Sequence, residues 1–311
     1  VQTTSDDTFL KTYKVESPLI DSTSSLKSSL GLNLYKEDLS FNSEFQVYEN
    51  LNVNKTDRYE YVLPSYTLSK DLGYVFNTNG NTTFTSTGHV KNYNTNITES
   101  ININDLLYNS DYNYSQIGLQ KNYKILLKNT NNKGKNSPSF KEKRDHTIGS
   151  LFQYNMSYPL IKSGPKYNDF FTPATTINFS PNKSKNNRAD DTRIDSSNIF
   201  SLNRIGTSES VEGGLSMVYG LEYFKANMDN QNIIEAKIAS QLRLEEDKNL
   251  SINSSLGQKS SNIVGNFILN PLDLISIKYD YSIDENLKDT NYQSLSSTFK
   301  INNFITSFEY I

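Results

Sequence analysis

The sequence predicts an all-β chain: part of a transmembrane antiparallel β-barrel, about 12–16 strands of a larger one, with long extracellular loops and short periplasmic turns. Three observations carry this. Apolar and polar residues alternate with period two along most of the chain. Many alternating runs are about 9–13 residues long. The mean globular strand has about 5–6, whereas an oblique bilayer crossing needs about 9–11. Finally, hydrophobic residues are only 35%, yet aromatics are 12%, with 21 Tyr and 16 Phe. Disordered chains lack aromatics, and strands favour them. A wide barrel reconciles the numbers, because one strand face meets lipid while the other meets water or a plug.

The elements follow in order. Leu26, Ser28, Leu30, Leu32 and Leu34 share one face of a run over 26–36. Leu39, Phe41, Phe45 and Val47 share one face of 39–49, and Glu37-Asp38 joins the two runs as a hairpin. Weaker runs occupy 58–68, 73–90, 97–108 and 112–128. Strong ones return at 148–160, 211–223, 234–244 and 275–283, and the theme closes at 295–301 and 304–310. In 211–223, Val211, Leu215, Met217, Tyr219, Leu221 and Tyr223 oppose Glu212, Gly214, Ser216 and Glu222. The charges Lys237, Arg243, Lys278 and Asp280 fall on polar-face positions, where a lumen tolerates them. Tyr158, Tyr219, Tyr223, Tyr279 and Tyr281 suit an interfacial girdle. No 3.6-residue stripe exists, apart from a short helical turn expected near Ser197–Arg204.

Connections alternate in length, as in outer-membrane barrels. Glu37-Asp38 is short, 50–57 is longer, 129–146 is a long basic loop, and 181–206 is longer still. Parity makes 226–231 an inner turn and 246–261 an outer loop, with Leu250, Ile252 and Leu256 extending a strand above the membrane. It also makes Asn270-Pro271-Leu272-Asp273 an inner turn, 285–290 an outer loop and 302–303 an inner turn. Pro18, Pro138, Pro165, Pro181 and Pro271 are expected in loops or turns. Bulges or strand ends are expected at Pro64, Pro159 and Pro173, because each removes a ladder donor.

Composition also excludes. Lys plus Arg is 31 and Asp plus Glu is 34, a net charge of -3, which argues against nucleic-acid binding. With no Cys, disulfides and thiolate chemistry are impossible. No apolar run reaches the about 18 residues of a membrane helix. Asn and Ser number 40 each, and the mean hydropathy is -0.62. Val1 is not Met, these residues contain no signal-peptide pattern, and Phe308-Glu309-Tyr310-Ile311 stops inside an alternating pattern. Residues 1–311 are therefore expected to be one partial barrel domain cut from a longer protein.

Catalytic constellations are sparse. Asp190-Asp191 with Asp195 is read as a solvated loop ahead of a cation site. Lys141, Lys143 and Arg144 are read as a solvated basic run ahead of a headgroup contact. Gly213-Gly214 precedes no helix, so it marks a bulge or close contact and not a phosphate cradle. His89 and His146 have no ligand-spaced partners. No catalytic, cofactor or metal residue is expected.

Several segments resemble LptD, the lipopolysaccharide-assembly outer-membrane protein family, in its alphaproteobacterial form. Asp6-Asp7-Thr8-Phe9-Leu10-Lys11-Thr12-Tyr13 is similar to the family's D-D-x-F-L-x-x-Y segment. Leu63-Pro64, Tyr158-Pro159-Leu160 and Pro173-Ala174 resemble later motifs with some positions changed. The fullest likeness runs from Asp195 through Asn198, Phe200, Leu202, Asn203 and Arg204 to Glu212, Gly213, Gly214, Tyr219 and Gly220. Residues 262–282 resemble the strand, turn and strand that follow. These positions, with Phe9, Leu10 and Tyr13, form the candidate motif set, expected to be structural. The resemblance implies a Gram-negative outer-membrane translocon that inserts lipopolysaccharide into the outer leaflet without catalysis. It implies contact with membrane lipid, an LptE-type plug lipoprotein and periplasmic bridge proteins. It also implies that an N-terminal jellyroll and the first and last strands lie outside this chain. A porin or receptor barrel is the alternative that period two supports equally well.

Overall fold

The computed structural model describes residues 1–14, 22–53, 57–75, 78–93, 96–272, 274–301 and 304–310. Among the described residues, one short helix, α1 (Phe9–Tyr13), precedes sixteen strands. These are β1 (Ser25–Lys36), β2 (Leu39–Asn50), β3 (Tyr59–Gly73), β4 (Gly80–Tyr93), β5 (Ile97–Ser110), β6 (Asn113–Tyr114), β7 (Gln120–Lys135) and β8 (Asp145–Ser157). They continue as β9 (Leu160–Ser163), β10 (Tyr167–Ser180), β11 (Gly214–Asn227), β12 (Asn232–Arg243), β13 (Ile263–Leu272), β14 (Ile275–Ile283), β15 (Thr290–Ile301) and β16 (Phe304–Tyr310). Sequence order is sheet order, with β6 beside β7 and β9 beside β10 off the main path. The all-β, antiparallel sheet expected from the alternation is what the chain forms, in keeping with a partial β-barrel. Among the described residues, no helix is long and apolar enough to cross a membrane. Val1–Tyr108 with Leu127–Ile148 form one compact unit, and Asn109–Leu126 with Gly149–Ile311 a second.

The second unit has inverted polarity. Register sets Asn178 opposite Ser216 and Ser216 opposite Arg243. On that same face, Val218 is opposite Gln241 and Ala239 opposite Val264. This mainly polar face is buried. The other face carries Phe179, Leu215, Met217, Tyr219, Leu221, Ile238, Phe267 and Leu295, all exposed. The consecutive pair Gln241 and Leu242 shows the switch, at 0% and 48% exposure. A water-soluble sheet sorts its faces the other way. Leaving each such side chain in water forfeits about 1.5–3 kcal/mol. Hydrocarbon around the outer face removes that penalty.

The buried face is covered by two long connections, 181–213 and 244–262. Ile194, Ile199, Leu250 and Leu256 from these segments pack on Val218, Ala239 and Val264 of the strands, with Phe200 and Ile205 at the margin. The first unit has a smaller core, in which Leu10 of α1 meets Leu26 of β1 and Leu51.

Several sequence expectations need correction. α1 was not foreseen, and neither was β10 as an alternating run. The expected strand 73–90 becomes the end of β3 and the later β4. The expected loop 129–146 is strand at both ends, since β7 runs to Lys135 and β8 begins at Asp145. Lys- and Asn-rich strands lack an apolar face, so pattern alone does not detect them. Val211 lies buried in the connection before β11, not on a strand. Leu250, Ile252 and Leu256 belong to turns and a 3-10 turn (Ser255–Gly257), not to a strand extension. Asn270 and Pro271 belong to β13, whose pairing shifts register between Leu269 and Leu272. The turn at 302–303 lies outside the described residues, as does Pro18.

The remaining prolines behave as their chemistry requires. Ladder registers shift across Pro64, between Val62 and Ser65. Pro159 separates β8 from β9. Pro173 keeps continuous register with β11, but the ladder on its other side breaks between Ala174–Ser157 and Phe171–Leu160.

Candidate functional site

The connection 181–213 is shaped by short polar side chains acting on their own backbone. Asp195 Oδ1 accepts from the backbone N–H groups of Ser197 (2.7 Å) and Asn198 (3.0 Å), and its carbonyl accepts from Ile199 N–H (3.1 Å). This is the single helical turn expected near 197. Asn198 Nδ2 donates to the Arg193 carbonyl at 2.8 Å. The turn drives Ile199 into the core, where it is fully buried. The Phe200 carbonyl accepts from Gln153 Nε2 of β8 at 3.2 Å. The Phe200 ring lies over Gly220, where an added Cβ would sit 3.0 Å from it and 2.6 Å from the Ile238 carbonyl. Only glycine admits that approach.

Asn203 braces the next stretch. Its Nδ2 donates to the Ser210 carbonyl (2.9 Å), and its Oδ1 accepts from Glu212 N–H (3.0 Å). That brace presents Arg204 to Glu212. Arg204 Nε donates to Glu212 Oε2 at 2.8 Å and Nη2 to Oε1 at 2.5 Å, a two-pronged pair with both side chains buried. Arg243, the last residue of β12, donates from Nη2 to the same Oε1 at 2.5 Å. Its Nη1 reaches the Gly213 carbonyl (2.7 Å) and its Nε the Leu256 carbonyl (3.1 Å). Arg204 Nη2 also donates to Ser216 Oγ of β11 at 2.8 Å. The cluster therefore ties both long connections to β11 and β12.

Gly213 and Gly214 allow the turn into β11. A Cβ on Gly213 would lie 2.4 Å from the Asn182 carbonyl, and Gly214 has φ +82°. The close contact expected at this pair is present.

Two buried guanidiniums on one buried carboxylate are held by charge-assisted hydrogen bonds, which satisfy most of their donors. Glu212 Oε1 accepts from both guanidiniums, and Oε2 from Arg204. The arrangement is a clamp. Among the described residues, no three His, Cys, Asp or Glu gather as metal ligands. Asp190 and Asp191 brace the connections instead: the Asp190 carbonyl accepts from Ser251 Oγ and Asp191 Oδ1 from Asn253 Nδ2.

The candidate motif set divides. Phe200, Asn203, Arg204, Glu212, Gly213, Gly214 and Gly220 meet around the clamp. Leu202 is half-buried, and Asn198 shapes the preceding turn. Tyr219 points to the exposed apolar face. Phe9, Leu10 and Tyr13 lie in the first unit, where Leu10 is core and the Tyr13 ring stands 4.8 Å from Phe9. Arg243, Gln153, Leu256 and Ser184, whose hydroxyl accepts from Gly213 N–H at 2.8 Å, belong to the clamp and its support but were absent from the set. Arg243 had one sequence signal, a charge on a polar-face position.

The family model LptD, described as LPS transport system D, matches residues 1–311. The chain belongs to the LptD family. LptD proteins transport lipopolysaccharide to the outer membrane, and the long strands with an apolar outer face accord with that location. No curated protein matches the chain.

Proposed function

We propose that this LptD-family chain forms barrel wall in a translocon that inserts lipopolysaccharide into the outer leaflet of the outer membrane, without catalysis. The observation that carries the reading is the inverted polarity of the second unit. Its apolar face suits lipid, while its polar face suits a wet interior narrowed by clamped connections. Lipopolysaccharide is amphipathic, so its route needs a polar side for sugars and an apolar exit for acyl chains. An LptE-type lipoprotein is the proposed plug, and periplasmic bridge proteins the proposed donors. In the same reading, residues 1–311 are one partial barrel domain.

Depletion in a Gram-negative cell that encodes the protein tests this. Lipopolysaccharide should disappear from the surface and accumulate inside. Unchanged surface lipopolysaccharide would sink the proposal, and steady open-pore current from the purified protein would favour a porin instead.

A further inference from the structure

The first unit holds a second constellation that the clamp does not use. A hollow of about 380 Å³ is lined by Lys133, Arg144, His146, Asn102 and Asn131, among others. Among the described residues that line it, none is acidic. Several cations elsewhere in the unit are paired: Lys128 with Asp105 at 2.7 Å, Lys91 with Glu60 at 2.9 Å, and Lys141 with Asp145 at 4.0 Å. Among the described residues, Lys133 and Arg144 have no acidic partner, and both are exposed.

A hydrogen-bonded network fixes the floor. Asn131 Nδ2 donates to Asn102 Oδ1 (3.1 Å) and Asn129 Oδ1 (2.6 Å). Its own Oδ1 is then the acceptor for His146 Nδ1 at 2.5 Å. Asn104 Nδ2 donates to Asn102 Oδ1 at 2.7 Å, and Asn102 Nδ2 donates to the Tyr66 hydroxyl. The amide floor is thus ordered before any ligand arrives, its N–H groups spent within the network.

Placement says what the ligand is. Along β7, Leu127, Asn129, Asn131 and Lys133 share one face, and along β8 His146 and Ile148 do so. Leu127 and Ile148 are exposed apolar residues of the kind that meet lipid. Lys133 stands six residues from Leu127, about 20 Å along a strand. The wall therefore passes from apolar to cationic over the distance that separates acyl chains from headgroups.

We infer that this hollow binds the phosphate of a membrane-lipid headgroup, with Lys133 and Arg144 supplying both the charge and the hydrogen-bond donors above the ordered amide floor. The inference rests on the membrane reading above. Arg suits a phosphate because its planar fork donates two bonds at once.

The test uses the full-length protein in detergent and native mass spectrometry. The probes are a bis-phosphorylated glucosamine lipid, its dephosphorylated counterpart and inorganic phosphate. The phosphorylated lipid should bind, and Lys133→Gln with Arg144→Gln should weaken it about ten-fold or more. Lys141→Gln, which removes a cation outside the hollow, should leave binding intact. Equal loss in Lys141→Gln, no loss in the double variant, or equal binding of the dephosphorylated lipid would each overturn the site. Inorganic phosphate binding as tightly as the lipid would overturn the lipid source. The exposed side chains should leave folding intact, checked by heat-modifiable gel migration. Depletion cells rescued by the double variant separate the two proposals. Lost lipid binding with normal surface lipopolysaccharide supports the site and leaves translocation standing. Surface lipopolysaccharide that persists through depletion sinks translocation, whereas unchanged lipid binding sinks only the site.

Discussion

The two compact units solve the same problem by opposite means. In the second, polar faces are hidden under long connections, and a buried trio of charges, Arg204, Glu212 and Arg243, holds those connections down. In the first, neutral amides and hydroxyls of Tyr66, Asn102, Asn104, Asn129 and Asn131 link neighbouring strands, with a small apolar cluster of Leu10, Leu26 and Leu51. Concentrated charge is strong while complete and ruinous when one member is lost. A distributed neutral network loses little from any single deletion. Fragility therefore differs between units even where strand lengths do not.

The largest expected effect lies at the clamp. Glu212→Ala leaves two guanidiniums buried without their carboxylate and should destabilise by about 3–5 kcal/mol. Thermal unfolding followed by heat-modifiable migration measures this, and a loss below about 1 kcal/mol would erase the contrast. Next comes the outer face. Met217→Arg puts a charge where lipid is expected and should cost about 2–4 kcal/mol at mid-depth. In a detergent-to-liposome refolding titration, a neutral result would break the lipid assignment of that face. The neutral network comes third. Asn131→Ala should cost about 1 kcal/mol, and a loss rivalling that of Glu212→Ala would show that amides act collectively.

The smallest effect concerns the start of the chain. Hydrogen bonds from Arg58 hold the Asp7 carboxyl below the ordinary carboxylate range. A lowered folded value means the contribution is present at neutral pH and lost as pH falls through that range. Both groups touch water, so the effect is slight. The difference in melting temperature between the natural chain and Asp7→Asn should therefore shrink as pH falls below about 4. A difference that grew in acid would reverse the assignment.

How much of this was legible depends on the face being read. Where one face is apolar, as with Leu215, Met217, Tyr219 and Leu221, alternation found the strand and its orientation. It failed at β10, where Phe170 and Phe171 are adjacent and fall on opposite faces, and Pro173 interrupts. Phe170 is held by stacking on Phe224 at 4.2 Å, a contact 54 residues away in sequence. It failed again at the end of β7, where Asn and Lys replace apolar residues. At the clamp, family likeness picked out Arg204, Glu212 and the glycines. Arg243 could be placed on a face but not paired, because 31 residues separate it from Glu212 and only sheet register joins them.

The length of β7 has a mechanical consequence. Its 16 residues span about 50 Å at about 3.3 Å each. Crossing an apolar band about 25 Å tall at the usual tilt uses roughly 33 Å. About five residues remain as paired backbone beyond the band. Such a stretch behaves as a stiff mast and not as a tether. It holds residues 136–144 at a set height beyond that band and denies proteases the slack chain that cleavage requires.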